Sequence, residues 1–266
     1  MSREPTFGPD EFRVSHSMVR TYLDCPERFR LERIKGVRLS HRSCEQVFGI
    51  ALHEALAHYH QQLQAGVTLS AEDVVKEFEE LFAQAQQGPV PVQWTDGDAA
   101  ERMSEQARDL THLYISQRTA RRVLAVEAPF RLKPEQLPSS FAFTEPLAGI
   151  VDLIEEEEDG TIYITELKTS GKRFDQMRVS FDLQMSIYAA AREVLGFPTA
   201  KLRFCVLVRS RKPSIETYEV VRETTEIAEA GTVVSGVLRA VDAGIFYPVR
   251  SWRCATCPVR PACGGG

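Results

Sequence analysis

The sequence contains no run of apolar residues long enough to cross a bilayer, so it does not predict a membrane-spanning protein. Its opening residues, MSREPTFGPDEFRVS, lack the basic and then apolar order of a secretory signal, and we expect a cytoplasmic protein. It also lacks the phosphate-binding pattern G-x-x-x-x-G-K-[ST] of motor ATPases. With 43% hydrophobic and 26% charged residues, the 266-residue chain has the composition of one large globular domain.

An excess of positive charge is also missing. The formal net charge of −5 argues against binding to nucleic acid through overall charge, although a local basic track would still suffice. Two stretches could follow a phosphate backbone, with Arg30 and Arg33 as the candidates for contacting a substrate, and neither predicts base recognition. The alternative for the first stretch is a solvated helix face. The stretches are Arg28, Arg30, Arg33, Lys35, Arg38 and Arg42, and then Arg209, Arg211 and Lys212.

Apolar periodicity predicts three helices in the first half of the chain, at residues 45–64, 70–87 and 98–120. The last two precede the first clear strand. We therefore expect residues 67–121 to form a helical insertion or lid within a single domain that covers residues 1–266.

Strand patterns dominate the second half. Strands are expected at residues 123–132, 147–154, 161–169, 201–208 and 215–221, and helices at 179–195 and 225–243. The second and third strands form a hairpin around Asp159 and Gly160. The four glutamates at 155–158 are expected to be the solvated end of that hairpin.

This hairpin carries two carboxylates. Side chains two residues apart in a strand share a face, so Glu166 and Lys168 point the same way. If residues 158–160 form a three-residue loop with Gly160 in the left-handed conformation, Asp152 lies directly opposite Glu166. Two facing carboxylates repel one another unless a cation lies between them.

Oxygen ligands of this kind suit magnesium or manganese better than zinc. Such a metal lowers the pKa of a bound water, and Lys168 is placed to orient that water or to neutralise the phosphate. Asp152, Glu166 and Lys168 are therefore the candidate catalytic residues. Taken alone, an E-x-K triplet is more often an exposed strand edge.

Four motifs in a particular order favour the catalytic interpretation of this E-x-K triplet over an exposed strand edge. The sequence reads G-x-x-x-H from Gly49 to His53, G-x-x-D from Gly149 to Asp152, E-x-K at Glu166 to Lys168, and Q-x-x-x-Y from Gln184 to Tyr188. This ordered set, between residues 17 and 263, resembles the RecB-type branch of the PD-(D/E)XK nucleases. The resemblance implies an α/β fold, with a mixed sheet flanked by helices on both sides.

The resemblance also assigns roles. It implies that His53 joins Asp152 and Glu166 as a metal ligand, together with the carbonyl of Leu167. Gln184 and Tyr188 would contact the nucleic-acid backbone or position the active site. Without the family pattern, His53 would be read as a core histidine, and a zincin H-E-x-x-H reading fails because Ala57 stands at the second histidine.

The cysteines form a further pattern, with Cys25 near one end and Cys254, Cys257 and Cys263 near the other. Four thiolates suit either zinc or an iron–sulfur cluster, and spacing alone does not choose between them. The arrangement is similar to that of iron–sulfur nucleases of the AddB and CRISPR-adaptation types, which implies a [4Fe-4S] cluster that joins the two ends. Cys44 and Cys205 are expected to be packing residues.

The resulting hypothesis is a metal-dependent nuclease that hydrolyses DNA phosphodiester bonds. By resemblance it would be an exonuclease that prefers single strands or ends and works in repair, recombination or CRISPR adaptation, where a helicase or adaptation partner is plausible. The rival hypothesis is an iron–sulfur DNA-binding or scaffold protein without catalysis.

Overall fold

A computed structural model of the protein describes residues 14–95, 99–118 and 122–264. Its centre is a mixed five-stranded sheet of β3 (Arg122–Leu132), β4 (Leu147–Glu156), β5 (Ile162–Ser170), β6 (Lys201–Val208) and β7 (Ser214–Val220). The strands lie side by side in that order. Neighbouring strands run antiparallel except for β5 and β6, which are parallel. Two short strands, β1 (Arg42–Ser43) and β2 (Val92–Gln93), form a separate parallel pair.

Helices cover both faces of the sheet, which confirms the expected fold class. They are α1 (His16–Asp24), α2 (Pro26–Phe29), α3 (Cys44–Gln64), α4 (Ala71–Gln86), α5 (Ala100–Gln117), α6 (Gln176–Ser180), α7 (Leu183–Ala191) and α8 (Thr224–Asp242). A π-helical turn (Arg30–Ile34) follows α2, and 3₁₀ turns lie at Pro134–Gln136, Trp252–Thr256 and Arg260–Ala262. None of the helices in the described residues is long and apolar enough to cross a membrane.

The alternation of β6 shows why helices cover both faces. Phe204 and Val206 pack into a core with α1, α7 and α8, whereas Cys205 and Leu207 pack into a second core with α3, α4 and α5. Apolar residues on both faces of a strand require cover on both sides. Cys44 also lies buried in the second core. The helices of the expected insertion, α4 and α5, therefore build one layer of the domain.

Several element predictions are confirmed to within a few residues, including the three early helices. The ends expected for the third of these, at residues 98 and 119–120, lie outside the described residues. The single helix expected at 179–195 is wrong, because the chain forms two helices with an extended Asp182 between them. The Asp182 side chain accepts a hydrogen bond from the Gln184 N–H at 2.9 Å and starts α7 afresh.

The hairpin end also differs from expectation. Glu155 is buried rather than solvated, and it lies between the guanidinium groups of Arg118 and Arg203. Glu157 also contacts Arg203, at 2.6 Å. A carboxylate can be buried here because two cations balance its charge. The run of glutamates therefore belongs in part to an internal ion cluster.

Candidate active site

The hairpin between β4 and β5 has the register that its sequence predicts. Glu157 and Thr161 are joined by a backbone hydrogen bond of 2.9 Å around a three-residue loop, and Gly160 has φ of +81°. Pairing runs from Glu156 with Ile162 to Leu153 with Thr165, and the next position along sets Asp152 opposite Glu166. There the Asp152 Oδ2 accepts a hydrogen bond from the Leu167 N–H at 2.7 Å.

His53 reaches this carboxylate from α3. Its Nε2 lies 2.9 Å from Asp152 Oδ2. The helix can approach β5 closely because position 49 is glycine: a Cβ there would lie 3.0 Å from Thr169 Oγ1. Gly149 serves a similar purpose, since a Cβ on it would lie 2.6 Å from the Phe130 ring. Gly49 thus permits the close packing of α3 on β5 that places His53 beside Asp152, whereas Gly149 makes room for the Phe130 ring.

Glu127, on the edge strand β3, is a site residue that sequence reasoning missed. One imidazole nitrogen of His53 and one carboxylate oxygen each of Glu127 and Asp152 lie within 4.8 Å of one another, and within the described residues no other group of three His, Cys, Asp or Glu side chains does so. Glu127 Oε1 lies 3.6 Å from His53 Nδ1, and among the described residues it accepts no hydrogen bond. A glutamate inside an alternating strand carries no sequence signal, so only the fold could reveal it.

The Glu127 backbone is unusual as well. Its φ is 48°, and it is the one residue other than glycine with a positive φ in the described part of the chain. This conformation costs an ordinary residue roughly 1–3 kcal/mol and is concentrated at functional sites. The strain occurs at the position opposite Asp152 in the pairing of β3 with β4.

Lys168, Glu166, Tyr188 and Gln184 form a closed ring of hydrogen bonds. Lys168 Nζ donates to Glu166 Oε1 at 2.5 Å and to Gln184 Oε1 at 3.1 Å. The Gln184 amide donates to the Tyr188 hydroxyl at 3.0 Å, and that hydroxyl lies 2.6 Å from Glu166 Oε2 and 2.8 Å from the Ile150 carbonyl. The Q-x-x-x-Y motif is thereby joined to the E-x-K motif through side chains. Tyr188 is buried, with 2% of its surface exposed.

Charge crowding shifts the proton affinities of the site. Burial and the charge of Asp152 raise the pKa of Glu166 to about 7, although Lys168 and Tyr188 act in the opposite direction. Burial alone would lower the pKa of His53, but Asp152, Glu127 and Glu166 raise it to about 9. Burial likewise raises the pKa of Glu127. A cation added among these carboxylates would relieve their mutual repulsion.

The donor set fits a divalent metal ion. Asp152 and Glu127 offer carboxylate oxygens beside the imidazole of His53, and Glu166 lies close enough to act on the pKa of His53. Carboxylate oxygens are ligands of hard divalent cations, and an imidazole nitrogen is a ligand of transition metals. The site opens on a cleft of about 1430 Å³, whose lining includes Glu166, Lys168 and Arg33.

In the structure, some residues of the predicted basic track are paired within the fold and others are exposed. Arg30 forms two hydrogen bonds with Glu27, of 2.7 and 2.8 Å, and Arg28 pairs with Glu32. The Arg42 guanidinium donates to the Ala85 carbonyl within the fold.

Arg33, by contrast, is exposed and lines the cleft. Arg211 and Lys212 of the second stretch are exposed beyond the end of β6.

The four terminal cysteines lie where the two ends of the chain meet. Cys25 separates α1 from α2, and its Sγ accepts a hydrogen bond from the Val249 N–H at 3.4 Å. The Cys254 thiol faces the carbonyl of the same residue, Val249, at 3.8 Å. An ion pair of 2.7 Å between Asp24 and Arg253 crosses the same junction. Cys257 and Cys263 follow on the C-terminal 3₁₀ turns.

Comparison with known proteins agrees with this geometry. A family model described as the PD-(D/E)XK nuclease superfamily matches residues 13–264. A search of curated protein sequences gives no significant match.

Among solved structures, the chain is similar to one described as an inferred exonuclease from Eubacterium rectale, with a TM-score of 0.52 and 14% identity over 92% of this chain and 86% of that one. It also aligns with the structure of SSO0001, with a TM-score of 0.37 and 14% identity over 93% and 94% of the two chains. At this identity the first likeness bears on the fold alone, and the second is too weak to support an argument.

Proposed function

The chain belongs to the PD-(D/E)XK nuclease superfamily, and from this premise we propose that it is a magnesium- or manganese-dependent deoxyribonuclease. Family membership supports hydrolase activity. The observation that carries the proposal is that His53, Glu166 and Lys168 line one cleft, where His53 contacts Asp152. A protein that had lost catalysis would have no use for carboxylates that repel one another in its interior.

The chain's own residues would divide the work of hydrolysis. Asp152, His53, Glu166 and the Leu167 carbonyl would hold the metal, and we add Glu127 to this set because one of its carboxylate oxygens lies in the same group as His53 and Asp152. When bound, the metal would lower the pKa of a ligated water and offset the charge that develops on the phosphoryl oxygens. Lys168 would orient the attacking water or bind a phosphate oxygen, while the ring through Gln184 and Tyr188 fixes the position of Lys168.

We propose that the protein is of the RecB iron–sulfur type, with a [4Fe-4S] cluster at Cys25, Cys254, Cys257 and Cys263. The meeting of the chain ends around Val249 supports this proposal. Four thiolates suit either zinc or an iron–sulfur cluster, and the resemblance to the iron–sulfur nucleases favours the cluster.

The substrate we propose is single-stranded DNA or a DNA end, which the protein cleaves as an exonuclease. Arg33 would contact the phosphates within the cleft, and Arg30 would support that surface through its pair with Glu27. A helicase or an adaptation complex would be a suitable partner, since the sequence has no phosphate-binding motif of its own for a motor.

Labelled DNA tests the proposed function directly. Single strands and duplexes with a label at the 5′ or the 3′ end are incubated with magnesium, with manganese, or with a chelator. We expect metal-dependent loss of single strands, with a product ladder that gives the polarity, and no cleavage by Asp152→Asn. DNA binding without metal-dependent cleavage would instead support the scaffold hypothesis.

A further inference from the structure

A short exposed segment connects the two halves of the candidate active site. Residues 171–182 link the end of β5, which carries Lys168, to the start of α7, which carries Gln184. Most of its residues are exposed, while Phe174 and Val179 are buried in the core and hold the segment in place. The segment is therefore a fixed projection beside the site.

Its two large apolar side chains face solvent. Met177 is 71% exposed and Phe181 is 80% exposed. They lie four residues apart, at the spacing that puts side chains on one face of a helix. A single exposed apolar residue is ordinary, whereas neighbouring exposed apolar side chains form the kind of patch that binds a ligand.

Three cations lie in or near this segment, and one of them, Arg178, stacks over the Phe174 ring at 3.5 Å from its centroid. Lys172 and Arg178 lie in the segment itself, and Arg20 projects from α1 with 57% of its side chain exposed. Arg20 lies near enough to Arg178 that its charge contributes to lowering the pKa of Arg178, behind the larger effect of burial. The carboxylates of Asp175 and Asp182 accept hydrogen bonds from the Arg178 and Gln184 N–H groups. A segment that carries both an exposed aromatic ring and cations complements the bases and the phosphates of a nucleic acid.

Asp182 shows how near the segment lies to the chemistry. Its charge acts on the pKa of Lys168 and on that of His16, which burial lowers to about 4. Phe181 is the preceding residue, and Gln184, two residues beyond Asp182, holds Lys168 at 3.1 Å. A base resting on Phe181 would thus belong to a nucleotide close to the reacting phosphate.

We propose that Phe181, with Met177 beside it, stacks against an unpaired base of the substrate strand while Arg20, Arg178 and Lys172 contact its phosphates. The proposal rests on the proposed nuclease function and gives it a physical basis for single-strand preference. In a duplex each base is already stacked between its neighbours, so its face is not available to Phe181. The ring adds affinity for any base, because every base has a π-face.

Binding in a chelator, where no cleavage occurs, tests the proposal by fluorescence anisotropy. The probes are a labelled oligothymidylate, a duplex of equal length, and a strand of abasic sites that keeps the phosphates and lacks the bases. Phe181→Ala should weaken binding of oligothymidylate about tenfold and leave the duplex and the abasic strand unchanged. Phe181→Trp should retain affinity, and Phe181→Leu should not, because stacking needs a flat ring.

Trp252 supplies the matched control, since it is also 80% exposed and lies in the 3₁₀ turn that carries Cys254. Trp252→Ala should bind all three probes like the unaltered protein. Equal weakening of all probes by Phe181→Ala, or retention by Phe181→Leu, would refute stacking. If the unaltered protein cleaves DNA and Phe181→Ala binds it as tightly, this inference fails alone. If the unaltered protein neither binds nor cleaves DNA, the proposed function fails with it.

Discussion

The side chain of Asp152 occupies the place of a strand partner for Leu167. Main-chain pairing of β4 with β5 extends as far as Leu153 and Thr165, and at the next step Asp152 Oδ2 accepts the Leu167 N–H at 2.7 Å. The same oxygen lies 2.9 Å from His53 Nε2. One carboxylate oxygen thus satisfies a buried backbone donor and also faces the proposed metal position. These two roles can be separated by substitution.

Asp152→Asn and Asp152→Ala should differ in the metal-free protein. Asparagine can still accept the Leu167 N–H, so it should change stability little, whereas alanine leaves that donor unsatisfied at a cost of about 1–3 kcal/mol. Both variants should lose the stabilisation that magnesium gives the unaltered protein and should lose cleavage. Thermal melts with and without magnesium measure this. If magnesium still raises the Tm of Asp152→Ala, Asp152 is not a ligand.

Glu127→Gly should change the stability of the metal-free protein and its magnesium affinity in opposite directions. Glycine accepts φ of 48° without strain and removes a charge facing Asp152, so the metal-free protein should become more stable by about 1 kcal/mol. Its magnesium affinity should fall by about tenfold or more, measured by calorimetry. Glu54→Gln is the control, because Glu54 lines the same cleft and lies outside the group of three. A less stable metal-free Glu127→Gly would show that Glu127 is structural.

Features set by local sequence could be predicted, whereas features set by packing between distant elements could not. The register of the hairpin was predictable because a loop with a left-handed Gly160 allows few pairings. The contact between His53 and Asp152 could be predicted only from the family resemblance, since no local pattern specifies which helix packs on which strand. Glu127 was not predictable, because an ordinary glutamate in a strand becomes a site residue only through the pairing of β3 with β4.

Local capping explains another difference. Apolar periodicity continues from residue 179 to 195, and it gave no sign of the break at Asp182. The side chain of that residue competes for the helix N–H groups, which is why aspartate favours helix starts. Similarly, the sequence predicted that the glutamates at 155–158 are solvated. It gave no sign of the ion pairs of Glu155, because Arg118 and Arg203 are distant in the sequence.

Arg30 and Arg33 form a matched pair for testing the basic track. Arg33 lines the cleft, whereas Arg30 is held by Glu27. We expect Arg33→Ala to weaken DNA binding for every sequence and to lower the salt dependence by about one counterion, while Arg30→Ala has a smaller effect. Affinity measured over a series of salt concentrations decides this. If the salt dependence of DNA affinity is the same for Arg33→Ala and the unaltered protein, Arg33 does not contact the phosphates.

Protein purified without oxygen should contain iron and acid-labile sulfide and should be brown. Cys257→Ser should lose the iron and much of the stability, because the cluster would join Cys25 to a partner 229 residues away (254 − 25). Thr256→Ala, in the same 3₁₀ turn, should keep both. Elemental analysis that finds zinc and no iron would contradict the cluster.

Tyr188→Phe distinguishes positioning of the active site from contact with DNA. The hydroxyl lies 2.6 Å from Glu166 Oε2 and helps to lower the pKa of Glu166, which burial and Asp152 raise to about 7. Removing it should cost about 1 kcal/mol of stability and raise that pKa further. Because metal binding needs the ionised carboxylate, the acidic limb of the cleavage profile should move to higher pH.

The stability of the metal-free protein gives an independent measure of the same shift. Between the ordinary pKa of 4.5 and about 7, folded Glu166 keeps a proton that the unfolded chain has released, so stability falls as pH rises through this window. In Tyr188→Phe the fall should extend to higher pH. DNA affinity in a chelator should be unchanged, since Tyr188 is buried. Weaker DNA binding with an unshifted pH profile would show instead that the hydroxyl contacts the substrate.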